Sequence, residues 1–277
     1  MNALAQMTAF DARLSLARKQ GRPLITAHTG CMDTIPNSME SVVAAFRSPA
    51  DIVEVDIRVT ADGIPILLHD EDLSSRALVS MPVKSLSWDE VSRINGLVIS
   101  LERFLETISE MEGSSVLDRQ KLINLDIKDT DALLTAHAVV RRFKMESRVV
   151  YSGLEQEGVV FAEKFLEKRQ YLLNIQNGFR TDSDSQDQLD AFCEFARTCG
   201  CAGINLEWIH ASSDVVKRIH AWGLVALLWT VDRDEDMKVV LSYGADSITT
   251  NFPDRLALLV RARDGARDEA RERSQGL

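Results

Sequence analysis

Short apolar runs alternate with amphipathic stretches along almost the whole chain, the pattern of a parallel sheet whose strands are joined by crossover helices. The runs at 24–28, 52–57, 122–127, 149–152, 171–175, 203–206, 225–231 and 247–251 read as strands. Eight is the number that closes a (β/α)₈ TIM barrel. Between them lie helix-end signals. Ser87 and Glu90 have capping-box spacing, Ser213 opens a helix that Gly223 ends, and Asp232 with Glu235 opens one that Gly244 ends. No linker or repeat divides residues 23–260, so one α/β barrel domain is expected. Residues 1–22 read as an extra helical extension covering one end of the barrel, and 261–277 as a charged helical tail.

One segment breaks the alternation. Residues 65–69 are β-like, yet only 58–64 separate them from the strand at 52–57. A parallel crossover needs at least about 10–12 residues. Thr60-Ala-Asp-Gly63 is turn-like, so this is a hairpin excursion after the second strand. Its returning arm is expected to bring His69 back near that strand's end.

The formal net charge of the 277 residues is -10, with no Lys/Arg run that could follow a nucleic-acid backbone. Nucleic-acid binding is therefore not expected, and an anionic ligand must be met by a local cation. Hydrophobic residues at 45% and charged residues at 27% suit a globular protein with a real core. No apolar run reaches the roughly 20 residues that span a bilayer, so stable membrane insertion is not expected. The N-terminal stretch does not resemble a secretory signal. Cys31, Cys193, Cys199 and Cys201 form neither a disulfide framework nor a zinc knuckle. Reduced thiols in a cytoplasmic protein are the reading.

Strand alternation selects the candidate chemistry. In Ile52-Val-Glu-Val-Asp-Ile57 a period of two puts Glu54 and Asp56 on one face. In Leu122-Ile-Asn-Leu-Asp-Ile-Lys128 it aligns Asn124, Asp126 and Lys128. Carboxylates facing a barrel interior are costly unless a cation neutralises them, and oxygen donors favour Mg²⁺ or Ca²⁺, with Mn²⁺ allowed. A solvated acidic edge strand and a structural Asp–Lys pair are the competing accounts. Lys128 can meet a phosphate oxygen as a point charge.

His28 ends the first strand and His69 the hairpin arm, and imidazole suits proton transfer near neutral pH. Both belong at the C-terminal mouth, where barrels hold their active sites. His137, His210 and His220 read as structural. Asn205 and Glu207 close the sixth strand and Trp229 lies in the seventh, placing them as candidate pocket residues. No G-x-S-x-G elbow, Walker A loop, G-x-G-x-x-G or H-E-x-x-H occurs. Serine hydrolase, nucleotide kinase, dehydrogenase and zincin chemistry thereby lose support.

Ile25-Thr-Ala-His-Thr-Gly30, Asn37-Ser-Met-Glu-Ser41, Val53 to Gly63 and Ile66-Leu-Leu-His-Asp-Glu71 together resemble the N-terminal signature of the glycerophosphodiester phosphodiesterase family. Ile123 to Lys128, Trp229-Thr-Val-Asp232 and Gly244 to Arg255 resemble its later blocks in order. The resemblance implies a metal-dependent barrel enzyme that cleaves a small-molecule glycerophosphodiester to a phosphomonoester and an alcohol. It implies His28 and His69 as general acid and base, Glu54, Asp56 and Asp126 as metal ligands, and Lys128 on phosphate. A lyase-type phosphodiesterase giving a cyclic product and a non-catalytic phosphate-ligand-binding barrel are the alternatives. Thr29 stands where the family usually has a phosphate-contacting Arg, so Thr29 becomes the candidate contact. The glutamate of the family's P-E-N block is missing at Pro36-Asn37, and Asp126 replaces a usual Glu. The stretch 70–100 is short for the family's substrate-covering insertion, which predicts an open mouth.

Overall fold

The computed structural model describes residues 8–74, 80–113, 121–175 and 185–275. Strands are β1 (Leu24–Ala27), β2 (Ile52–Val59), β3 (Pro65–Leu67), β4 (Asp72–Ser74), β5 (Ser80–Pro82), β6 (Leu122–Ile127), β7 (Val149–Ser152), β8 (Leu172–Ile175), β9 (Gly203–Glu207), β10 (Val225–Trp229) and β11 (Ser247–Thr250). Helices are α1 (Ala9–Lys19), α2 (Met39–Arg47), α3 (Trp88–Ile94), α4 (Leu101–Gly113), α5 (Thr130–Arg142), α6 (Gln156–Ala162), α7 (Ser185–Thr198), α8 (Ser213–Ala221), α9 (Asp234–Leu241) and α10 (Pro253–Gln275).

The order β7-β6-β2-β1-β11-β10-β9-β8 is parallel throughout, and a parallel bridge between Tyr151 and Tyr171 joins its two ends. The eight predicted strands thus close the barrel, each within two residues of its expected ends. The hairpin is present too. β3 runs antiparallel to β2, pairing Ile57 with Leu67 and Val59 with Pro65, and Gly63 turns the chain at a left-handed φ of 80°.

The two faces of each strand enter different cores. Ile25, Val53, Val55, Ile123, Leu125, Ile204, Leu228 and their neighbours pack outward against the helices. Leu24, Ile52, Leu122, Val150, Leu172, Val225 and Leu227 form a second cluster with Phe10, Leu14 and Ala17 of α1. Helix α1 therefore plugs the end of the barrel where its strands begin. Arg169 to Asp11 at 2.6 Å, Arg18 to Asp246 at 2.7 Å and Arg22 to Asp51 at 2.7 Å pin it there and brace the same end.

Three local expectations change. The cap of α8 is Ser212, whose hydroxyl accepts from Val215 N; Ser213 is already helical. Helix α9 starts after Arg233, without a side-chain cap, because the Asp232 carboxylate is engaged elsewhere. The expected boundary at 260 falls inside α10, which runs unbroken to Gln275.

Candidate active site

At the other end, the strands' C-terminal ends surround a cavity of about 160 Å³. Its lining includes Glu54, Asp56, Asn124, Asp126, Lys128, His28, His69, Asn205 and Trp229. It opens toward a groove of about 890 Å³ that shares His69, Asp126, Lys128 and Trp229 with it.

The acidic cluster follows from register. Parallel pairing sets Glu54 opposite Asn124 and Asp56 opposite Asp126. One carboxylate oxygen from each of Glu54, Asp56 and Asp126 lies within 4.8 Å of the other two. Glu54 is 5% exposed and Asp56 2%. Lys128 Nζ reaches Asp126 Oδ2 at 2.6 Å and Asp56 Oδ1 at 2.9 Å. With all three carboxylates ionised, one ammonium leaves two negative charges, the number a divalent cation neutralises. Asn124 Oδ1, buried beside them, accepts no hydrogen bond, and an acceptor of this kind suits a cation or an incoming hydroxyl. The donor set is all oxygen, which fits Mg²⁺ or Ca²⁺.

The remaining carboxylate oxygens are held from outside. Asn37 Nδ2 donates to Asp56 Oδ2 at 2.7 Å, while its Oδ1 accepts from Asp56 N. Asn37 does this from a left-handed backbone at φ 58°, a conformation asparagine tolerates. Ser152 Oγ donates to Asp126 Oδ1. Thr29 N donates to Glu54 Oε2 at 2.9 Å. Burial, opposed by His28 and reinforced by Asp56 and Asp126, pushes the Glu54 pKa upward. For Lys128, burial is outweighed by Asp126 and Asp56, and its pKa rises.

The two histidines differ in setting. His28 is one third exposed, its Nε2 4.0 Å from Glu54 Oε2 and its Nδ1 3.0 Å from Asn251 Oδ1. Burial opposes its charge, but Glu54, Asp56, the Asn251 hydrogen bond and Asp232 raise its pKa above the ordinary value. The His69 side chain is 66% exposed, with Nδ1 2.9 Å from Asp70 Oδ1. Its backbone carbonyl accepts from Arg58 Nε at 2.8 Å, and Arg58 in turn holds Asp129 at 3.1 Å.

Two of the expected contact residues, Thr29 and Glu207, are not among those lining the cavity. Thr29 is 3% exposed, and its hydroxyl accepts from Asn37 N and donates to Asn37 Oδ1, so it builds the frame under Asp56. Glu207 does not line the cavity; its carboxylate is 3.8 Å from His210 Nε2. Asn205 does line it, donating to Asn174 Oδ1, and the Trp229 indole N–H there is buried without an acceptor. Sequence reasoning missed Asn37, Ser152, Asn174, Asn251 and Asp232. Ser152 and Asn174 were within reach, since strand alternation puts them on the face that carries Val150 and Leu172.

Fold and mouth together define a TIM-barrel protein that presents an oxygen-only acidic cluster between two imidazoles. The chain belongs to the Glycerophosphoryl diester phosphodiesterase family, whose model matches residues 28–255. A glycerophosphodiester phosphodiesterase of Caldanaerobacter subterraneus is 24% identical over 87% of this chain and 98% of its own. The crystal structure of a glycerophosphodiester phosphodiesterase from Parabacteroides distasonis matches at TM-score 0.69 and 20% identity, covering 87% and 98% of the two chains. An Oleispira antarctica phosphodiesterase solved with the product sn-glycerol-3-phosphate matches at TM-score 0.67 and 18% identity, covering 88% and 98%.

Proposed function

We propose that this protein hydrolyses a glycerophosphodiester, or a closely related sugar phosphodiester, to a phosphomonoester such as glycerol 3-phosphate and a free alcohol. The observation that carries the reading is the convergence of Glu54, Asp56 and Asp126 beneath His28 and His69 at the barrel mouth. Family membership and the product complex of the Oleispira relative support the substrate class.

Glu54, Asp56 and Asp126 would hold one divalent cation, Mg²⁺ or Ca²⁺, which supplies charge stabilisation to the phosphoryl oxygens and lowers the pKa of a nearby hydroxyl. Everything else falls to the chain. Asn37, Ser152 and the Thr29 N–H hold the three carboxylates in place before substrate arrives, so little reorganisation is left for the reaction itself. Lys128, released from part of its double ion pair, turns its ammonium to a phosphate oxygen. The Trp229 N–H is a second donor with no protein partner. One of His28 and His69 takes the proton of the attacking hydroxyl as its oxygen bonds to phosphorus. The other gives a proton to the departing alkoxide as the old P–O bond breaks. The open groove beside His69 accommodates the leaving alcohol. Four free, buried cysteines support a reducing, cytoplasmic setting. Among the described residues no helix is long and apolar enough to cross a membrane.

The test is a metal-by-substrate assay over glycerophosphodiesters and sugar phosphodiesters, with phosphorus NMR of the product. A phosphomonoester formed with Mg²⁺ or Ca²⁺ and abolished reversibly by chelator is expected. Full activity after exhaustive chelation would refute the metal assignment, and an accumulating cyclic phosphate would replace hydrolysis by the lyase reaction.

A further inference from the structure

The side of His28 away from the acidic cluster carries an arrangement that the proposed chemistry has not used. Its Nδ1 lies 3.0 Å from Asn251 Oδ1. Asn251 Nδ2 donates to Asp232 Oδ2 at 2.8 Å, and Asn251 N donates to Asp232 Oδ1 at 2.8 Å. Thr250 Oγ1 is a third donor to the carboxylate, reaching Asp232 Oδ1 at 3.2 Å. An ionised carboxylate only accepts hydrogen bonds. Asp232 therefore fixes which end of the Asn251 amide faces it: the NH₂. The carbonyl oxygen is then the end left for His28, and a carbonyl oxygen can only accept.

We propose that Asp232 and Asn251 are positioning residues that lock neutral His28 in the tautomer with its proton on Nδ1. The bare lone pair then sits on Nε2, the nitrogen that faces Glu54 and the cavity. Whichever direction His28 moves a proton in the reaction, Nε2 is the atom that moves it. The opposite tautomer would point an N–H at the cavity and a lone pair at a carbonyl oxygen, which repels it. Helix α9 gives up its side-chain cap to this arrangement, since Asp232, one residue before the N-cap, turns toward Asn251 instead.

The proposal rests on the reading of His28 as a proton carrier, but its primary test does not. Long-range ¹⁵N–¹H correlation of the His28 ring in the full chain with Mg²⁺, at a pH where the ring is neutral, reports the tautomer directly. A pyrrole-like Nδ1 and a pyridine-like Nε2 are expected; the reverse assignment overturns the proposal. Asp232→Asn lets the Asn251 amide turn over, so the proton should move to Nε2, with kcat falling by up to the 10²–10⁴-fold that acid–base catalysis contributes and KM changing little. Asp232→Asn together with Asn251→Asp again presents an acceptor to Nδ1 and should restore the tautomer and most of kcat. A tautomer or a kcat unmoved by Asp232→Asn would each overturn the positioning role. Undiminished activity in His28→Ala would instead remove the catalytic reading while leaving the tautomer assignment intact.

Discussion

Leu24, Ile52, Leu122, Val150 and Leu172 meet Phe10 and Leu14 of α1 at the end of the barrel where its strands begin. Two to four residues further along the same strands stand Glu54, Asp56, Asn124, Asp126, Ser152 and Asn174, around the cavity. At the lower end buried carboxylates are matched: Asp51 has Arg13 and Arg22, and Asp246 has Arg18 and His220. At the upper end Asp56 and Asp126 share one lysine, Glu54 has only the His28 imidazole at 4.0 Å as a basic neighbour among the described residues, and Asn124 Oδ1 and the Trp229 N–H lack partners. One set of strands thus carries stability at one end and stored electrostatic demand at the other. Groups left unmatched in the free protein are the ones a ligand can reward.

The strongest way to break this contrast is to remove an imidazole. His28→Ala or His69→Ala should lower kcat about 10²–10⁴-fold while circular dichroism and thermal unfolding stay close to the parent. Wild-type turnover in either variant would take that residue out of the chemistry. The opposite behaviour belongs to the plug. Phe10, 3% exposed, fills the barrel floor, and Phe10→Ala should cost about 3–5 kcal/mol of unfolding free energy. Activity per folded molecule should hold at a temperature where the variant remains native. A large loss of kcat without loss of stability would tie α1 to the mouth.

A finer probe exchanges demand for stability at a single atom. In Glu54→Gln the upper cluster loses a charge whose burial and acidic neighbours already disfavour it. The metal-free protein should gain on the order of 1 kcal/mol, while its stabilisation by Mg²⁺, about 2.7 kcal/mol at a hundredfold excess over Kd, should vanish. Calorimetry with and without Mg²⁺ reads both. A destabilised metal-free variant would mean that the Thr29 N–H bond to Glu54 outweighs the repulsion.

Much of this was legible from local pattern. Period-two alternation at 52–57 and 122–127 is enough to bring Glu54, Asp56 and Asp126 to one face, and a seven-residue gap is enough to require the hairpin that returns His69. What escaped depends on contacts between distant residues. Asp232 satisfies a local capping pattern, yet its partner Asn251 is 19 positions away and wins its carboxylate. Thr29 follows a motif histidine, but its hydroxyl is claimed by Asn37, whose left-handed backbone no short-range signal announces. Glu207 keeps the alternation as the last residue of β9, but the turn at Trp208–His210 follows at once and its carboxylate lies 3.8 Å from His210 Nε2 instead of lining the cavity.

The smallest expected effect separates the two ends by pH. Asp246 is 2% exposed at its side chain and accepts from His220 Nε2 at 2.7 Å, Ala226 N at 2.9 Å and Arg18 Nε at 2.8 Å. Burial works against its charge, but the His220 and Ala226 hydrogen bonds, then His220 and Arg18 as charges, hold its pKa below the ordinary 3.8. The folded chain therefore binds this proton more weakly than the unfolded chain does. Its contribution is fully present above the unfolded value and fades as pH falls through that value toward the folded one. Asp246→Asn should cost about 1–3 kcal/mol at pH 7, and the gap between variant and parent should shrink as unfolding is followed from pH 5 to pH 3. A gap that stayed constant across this window would remove Asp246 from the acid dependence of stability.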